Sequence, residues 1–143
     1  MITVQFTVRP GQGPASGFDL GDMSVAGDLG TADSAGHIPD QGMMIHLSVV
    51  QLLDGLAEFL GGTAPVFSFT GADTSFGLVV RRTKDGLSVA DKKGVVARTT
   101  PAELAFAVLC AAEDLDLPRG DPVASDREAA LAAFRPLVPG RAG

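Results

Sequence analysis

Between Val66 and Arg98 the chain carries four short apolar runs, Val66–Thr70, Phe76–Arg82, Leu87–Ala90 and Gly94–Arg98, punctuated by Gly71-Ala72-Asp73, Lys84-Asp85-Gly86 and Asp91-Lys92-Lys93. A parallel strand pair needs a crossover of about a dozen residues or more. Separators this short therefore make each strand return antiparallel to the one before it, and Asp85-Gly86 supplies hairpin turn chemistry. This stretch confines the fold to an antiparallel meander, and the rest of the chain has to pack around it.

Upstream, residues 2–8 alternate Ile2, Val4, Phe6 and Val8 against Thr3, Gln5 and Thr7, the period of a half-buried strand ended by Arg9-Pro10-Gly11. Residues 10–42 are rich in Gly, Pro, Ser and Asp. A structureless loop of that length is unusual in a compact domain, so a second strand is expected over Met23–Leu29, paired with the first as a long hairpin. Met43 to Leu47 reads as a short strand with Met44 and His46 on one face. Ser48-Val49-Val50-Gln51 then fits a capping box, and Val49, Leu52, Leu53, Leu56, Phe59 and Leu60 fall on one side of the helix that follows, near 49–60, until Gly61-Gly62 stops it. Thr100-Pro101-Ala102-Glu103 combines a cap threonine, proline at the first helical position and a box glutamate, opening a helix that reaches about Leu117 before Pro118. Ser125-Asp126-Arg127-Glu128 repeats the box and opens a short helix through Leu131 and Phe134, ended by Pro136.

These elements predict an α+β fold in one domain of residues 1–138. A single antiparallel meander sheet of about five to seven strands carries two main helices on one face and a short C-terminal helix, with 139–143 as a flexible C-terminal tail. Leu53, Leu56 and Leu104 are expected in the core. The chain has 143 residues, enough for one core and too few for two.

The candidate chemistry is sparse. Gly11, Gly13 and Gly17 lack the spacing of a phosphate loop, and Asp19, Asp22, Asp28, Asp33 and Asp40 with His37 match no calcium loop and read as turn residues. Of the two histidines, His37 and His46, the second sits in an apolar run and reads as packed or superficial. Cys110 lies in an apolar helix, where burial makes a thiol inert, and as the single cysteine it excludes an intramolecular disulfide. No serine stands in a nucleophile elbow. No catalytic, cofactor-binding or metal-ligating residue is indicated.

The partner classes narrow by charge. The formal net charge is −6, and residues 1–80 hold eight acidic residues against Arg9 alone, which disfavours nucleic acid and anionic lipid as partners. The basic group Arg81, Arg82, Lys84, Lys92, Lys93 and Arg98 comes without Trp or Tyr to stack bases on. Its lysines read as a solvated hairpin that discourages edge pairing. With no signal-peptide pattern at Met1 to Val4, no apolar stretch of about 18 residues and one cysteine, the chain is expected to be cytoplasmic and off the membrane.

The helix from Pro101 is apolar on two sides: Leu104, Ala107, Val108, Ala111 and Leu115 make one face, while Phe106, Leu109 and Cys110 project to another where only Glu113 offers charge. Either the terminal helix covers that second face with Leu131 and Phe134, or a partner chain does. Phe106, Leu109 and Glu113 are thus candidate partner-binding residues, the partner being another protein or a second copy in a homodimer.

The order of strand, loop with strand, helix with Leu52-Leu53-Asp54-Gly55-Leu56, meander with Phe67-Ser68-Phe69 and Ser75-Phe76-Gly77-Leu78, and helix from Pro101-Ala102-Glu103-Leu104 resembles the small WapI-type immunity proteins of contact-dependent toxin systems and related domains of unknown function. The resemblance covers about residues 2–117. It implies a non-enzymatic cytoplasmic protein that neutralises a toxin by binding it, and the acidic charge suits a basic toxin. The Gly-rich loop and the extension from Pro118 depart from that pattern. Two alternatives remain: a small-molecule-binding protein or small enzyme with a pocket between sheet and helix around His46, Met44, Phe67 and Phe69, and a homo-oligomeric structural module.

Overall fold

The computed structural model describes residues 2–14, 16–38, 40–117 and 120–138. The expected tail at 139–143 lies outside them. Strands β1 (Thr3–Val8), β2 (Leu20–Ala26), β3 (Thr31–Asp33) and β4 (Met43–Met44) precede helix α1 (Ile45–Gly61). The meander β5 (Val66–Thr70), β6 (Gly77–Thr83), β7 (Gly86–Asp91) and β8 (Gly94–Thr99) follows, then α2 (Pro101–Glu113), α3 (Pro122–Phe134) and a 3₁₀ turn at Arg135–Leu137. The α+β class and the meander stand as the turn spacing requires.

The strands divide between two four-stranded antiparallel sheets where one was expected. In the first, β1 and β2 form the long hairpin, with Phe6 opposite Met23 and Val4 opposite Val25, and β2 also pairs β3 and β4. The second runs β5-β6-β7-β8. Its outer strand β8 does not continue into the first sheet through a full ladder. It meets the turn between β2 and β3, where Leu29 N–H donates to Val96 O at 2.9 Å and Arg98 N–H donates to Asp28 Oδ1 at 2.8 Å. Gly27 permits this approach, because a Cβ there would lie 2.2 Å from the Cβ of Ala97. Inward-facing Val4, Val25, Leu78, Val80 and Val89 meet Leu52, Leu56, Leu104 and Val108 of the two helices in one core. Leu53, Leu56 and Leu104 are all buried there.

Local expectations change at the helix ends, and α2 stops at Glu113, short of the expected Leu117. Met43-Met44 is the whole of the short strand, and Ile45, His46 and Leu47 already form the first turn of α1. Ser48 is consequently inside the helix and is not its cap. Its hydroxyl donates to Met44 O at 2.9 Å and accepts from Ala72 N–H at 2.8 Å, tying α1 to the loop after β5. Likewise α3 starts at Pro122, ahead of the Ser125 box, with the Asp121 carboxylate accepting from Val123 N–H. Asp121-Pro122 is the same cap-plus-proline signature as Thr100-Pro101, and Thr100 does cap α2 by accepting from Glu103 N–H.

Arg82 is built into the frame. It donates to the carbonyls of Phe59, Gly62 and Ala64 and lies 4.5 Å above the Phe59 ring, so it satisfies orphan groups at the C-terminal end of α1.

Candidate functional site

Helix α2 divides the residues expected on its second face. Leu109 is fully buried with Ala105 and Ala112 in the core that also holds Leu131 and Phe134, because α3 and the 3₁₀ turn pack against that side. Leu109 is therefore a core residue and leaves the candidate partner surface. Phe106 stays 48% exposed. Glu113 pairs with Arg135 at 3.6 Å, which ties the end of α2 to the turn after α3.

Phe106 borders a shallow groove of about 180 Å³ between α2 and β1, lined by Ile2, Thr3, Val4, Glu103, Ala107 and Cys110. Its wall on the sheet side is an edge strand: among the described residues β1 pairs with β2 alone. Arg9 N–H donates to Leu20 O at 3.0 Å, continuing the ladder one step beyond Val8 and Gly21. Backbone groups alternate in direction along an antiparallel strand. Thr3, Gln5, Thr7 and Arg9 thus turn theirs toward β2, while Val4, Phe6 and Val8 turn theirs to the open side. The edge from Thr3 to Val8 has no lysine, proline or bulge, the usual devices that blunt such an edge.

The expected pocket residues do not converge. His46 is buried in the first turn of α1, whose closest helical neighbour is α3. Met44 pairs with Leu20 at the far end of β2, Phe67 stacks on Phe59 with ring centroids 6.0 Å apart, and Phe69 is buried in β5 opposite Leu78. The strand reading of 43–47 had put Met44 and His46 on one face, and the helix start at Ile45 separates them.

The aspartates of the long loop are distributed among separate tasks. Arg9, the lone base of the first 80 residues, donates to both carboxylate oxygens of Asp22 (2.9 and 3.0 Å) and both of Asp40 (2.8 Å each). Asp22 also accepts from Ser34 Oγ, and Asp40 from Gly42 N–H. The guanidinium holds both carboxyl groups below their usual range, with burial opposing at Asp22. Reciprocally, the two carboxylates raise the Arg9 pKa. Asp28 is lowered chiefly by the Arg98 backbone N–H. The isolation of one arginine among eight acids was the sequence signal for this clamp. Among the described residues no three His, Cys, Asp or Glu side chains gather as a metal site.

A second, polar cleft of about 160 Å³ opens where β3, the start of β6 and the β7–β8 turn come together, lined by Asp33, His37, Gln41, Ser75, Phe76, Asp91, Lys92 and Lys93. Its acids are engaged by backbone: Asp33 Oδ1 accepts from Ala35 N–H, and Asp91 Oδ1 from Lys93 and Gly94 N–H. His37 Nε2 lies 2.6 Å from Asp33 O. No described helix is long and apolar enough to cross a membrane.

Compared with protein-family models, with curated proteins and with solved structures, the chain matches none of them.

Proposed function

We propose that this protein is a cytoplasmic, non-catalytic protein-binding module that engages its partner along the β1 edge and the adjoining α2 surface. The reading rests on one observation: an uncharged edge strand whose outward N–H and C=O groups, at Val4, Phe6 and Val8, run beside an apolar groove bordered by Phe106. Strand addition supplies main-chain hydrogen bonds, and an adjacent groove supplies side-chain specificity. Catalysis would need a nucleophile or acid–base pair converging in a cleft. The described polar residues instead hold structure together, as Arg9, Asp22, Asp40, Ser48, Arg82 and Asp121 do. The immunity-like role, neutralising a toxin by occupying it, is the form of binding that the resemblance suggests, and the net charge of −6 favours a basic partner.

The test is affinity capture from the native cytoplasm with mass spectrometry. The wild type is compared with Phe106→Glu and with Gln5→Lys/Thr7→Lys, which charges the outer face of the edge. Loss of a captured protein in both variants, with circular dichroism unchanged, supports the reading. Capture undiminished in both variants overturns it, as does turnover of a substrate by the purified protein.

The cleft at Ser75, Lys92 and Lys93 favours a second reading, a small-anion binder. Its lysines form no ion pair among the described residues, whereas its carboxylates are already held by backbone N–H groups. Titration with inorganic phosphate and citrate against Lys92→Ala/Lys93→Ala distinguishes it from the first.

A further inference from the structure

We propose that His46 is a pH-sensitive latch that keeps α3 docked on α1. The imidazole is 1% exposed, and its Nδ1 has no hydrogen-bond partner among the described residues. Arg127 of α3 is near enough to act on the ring by its charge; its Nη1 donates to Leu115 O, and its buried Nε has no hydrogen-bond partner among the described residues. Two acids face the same ring: Asp19, from the segment before β2, and Asp121, the cap of α3. Asp121 is occupied, with one carboxylate oxygen accepting from Val123 N–H and the other from Gly17 N–H. Neither histidine nitrogen is hydrogen-bonded to either acid. Among the described residues, Nδ1 thus has no acceptor for an additional proton.

The consequence follows from burial and charge. Desolvation, and then the Arg127 guanidinium, lower the affinity of His46 for a proton, with Asp19 and Asp121 opposing. In the undocked helix the ring is solvated and binds a proton near its ordinary value of about 6.5. Above that pH both states carry a neutral ring, and docking is at full strength. As the pH falls below about 6.5 only the undocked state gains the proton, so docking weakens by up to about tenfold per pH unit until the folded-state value is reached. Undocking α3 uncovers Leu109 on α2 together with Leu131 and Phe134, all buried in the docked structure. Acidification therefore exposes a fresh apolar surface while the two sheets, to which α3 contributes no strand, persist.

Hydrogen exchange of the whole chain at pH 7.5 and 5.5, corrected for intrinsic rates, tests the latch. The expected result is a loss of protection of up to about tenfold in 122–134, with the β6–β7 ladder unchanged. His46→Gln should abolish this difference, and His37→Asn should leave it in place. Equal loss across all elements, or persistence of the effect in His46→Gln, overturns the proposal. Should His46→Gln not fold, the wild-type imidazole resonances decide: a His46 ring that titrates at or above about 6.5 overturns the latch, and one that titrates lower supports it.

Discussion

Truncating Leu109 to Ala separates the buried from the exposed part of α2. Leu109 is fully buried in the core it shares with Leu131 and Phe134. Losing a side chain so placed costs its transfer free energy plus the cavity left behind, about 2–5 kcal/mol. With a urea m-value near 2 kcal/mol/M for a chain of this size, the unfolding midpoint should fall by roughly 1–2.5 M. Phe106, 48% exposed, keeps about half the contribution of a fully buried phenylalanine. Its replacement by Glu should cost on the order of 1 kcal/mol and shift the midpoint by about 0.5 M. Urea titrations of the two variants, followed by circular dichroism, give the comparison directly. Equal midpoints, or unfolding of Phe106→Glu with Leu109→Ala intact, would refute both the helix phase and the assignment of the outer strip to a partner.

Three further outcomes are expected. Arg9→Met should flatten the acid limb of the stability profile: Asp22 and Asp40 have lowered folded-state pKa values, so they stabilise above about pH 4 and lose that contribution as the pH falls further. Thermal melts from pH 5 to pH 2 read the difference, and equal slopes for wild type and variant would show that the clamp contributes nothing. Gly27→Ala places a methyl 2.2 Å from the Cβ of Ala97 and should destabilise by about 1–3 kcal/mol, with faster amide exchange at Leu29 and Arg98; a neutral effect on the urea midpoint would deny the close approach. Asp121→Ala removes the α3 cap and the tie to Gly17, an expected loss of about 0.5–2 kcal/mol, checked by denaturant titration against Ser125→Ala, which should be silent.

Residues 66–99 and the start of α2 were legible because their signals are local. The two-residue turns at Lys84-Asp85 and Lys92-Lys93 admit one strand direction, and Thr100-Pro101-Ala102-Glu103 satisfies its own backbone groups without help from elsewhere. The β1–β2 hairpin was readable in part: alternation marks β1, and the rarity of a long structureless loop called for a partner strand, expected at Met23–Leu29 and found at Leu20–Ala26. The start of α1 was not readable, because Ser48 suits a cap equally well as an interior position. What decides is Ala72, 24 residues away, whose N–H the Ser48 hydroxyl accepts. Nor could β3 be seen, as three residues carry no period and their pairing depends on Ser34 meeting Met23.

The candidate site divides the same way. Sequence alone determined that α2 is apolar on two sides and that β1 carries no charge. Only the tertiary structure decided that Leu109 faces α3 while Phe106 faces outward, that among the described residues β1 is paired on one side only, and that His46 is buried within reach of the Arg127 charge. Periodicity fixes the angle between side chains on one element. Which side meets another element is set by where the chain returns in space, and that depends on contacts such as Gly17 with Asp121, 104 residues apart, whose partners no local pattern identifies.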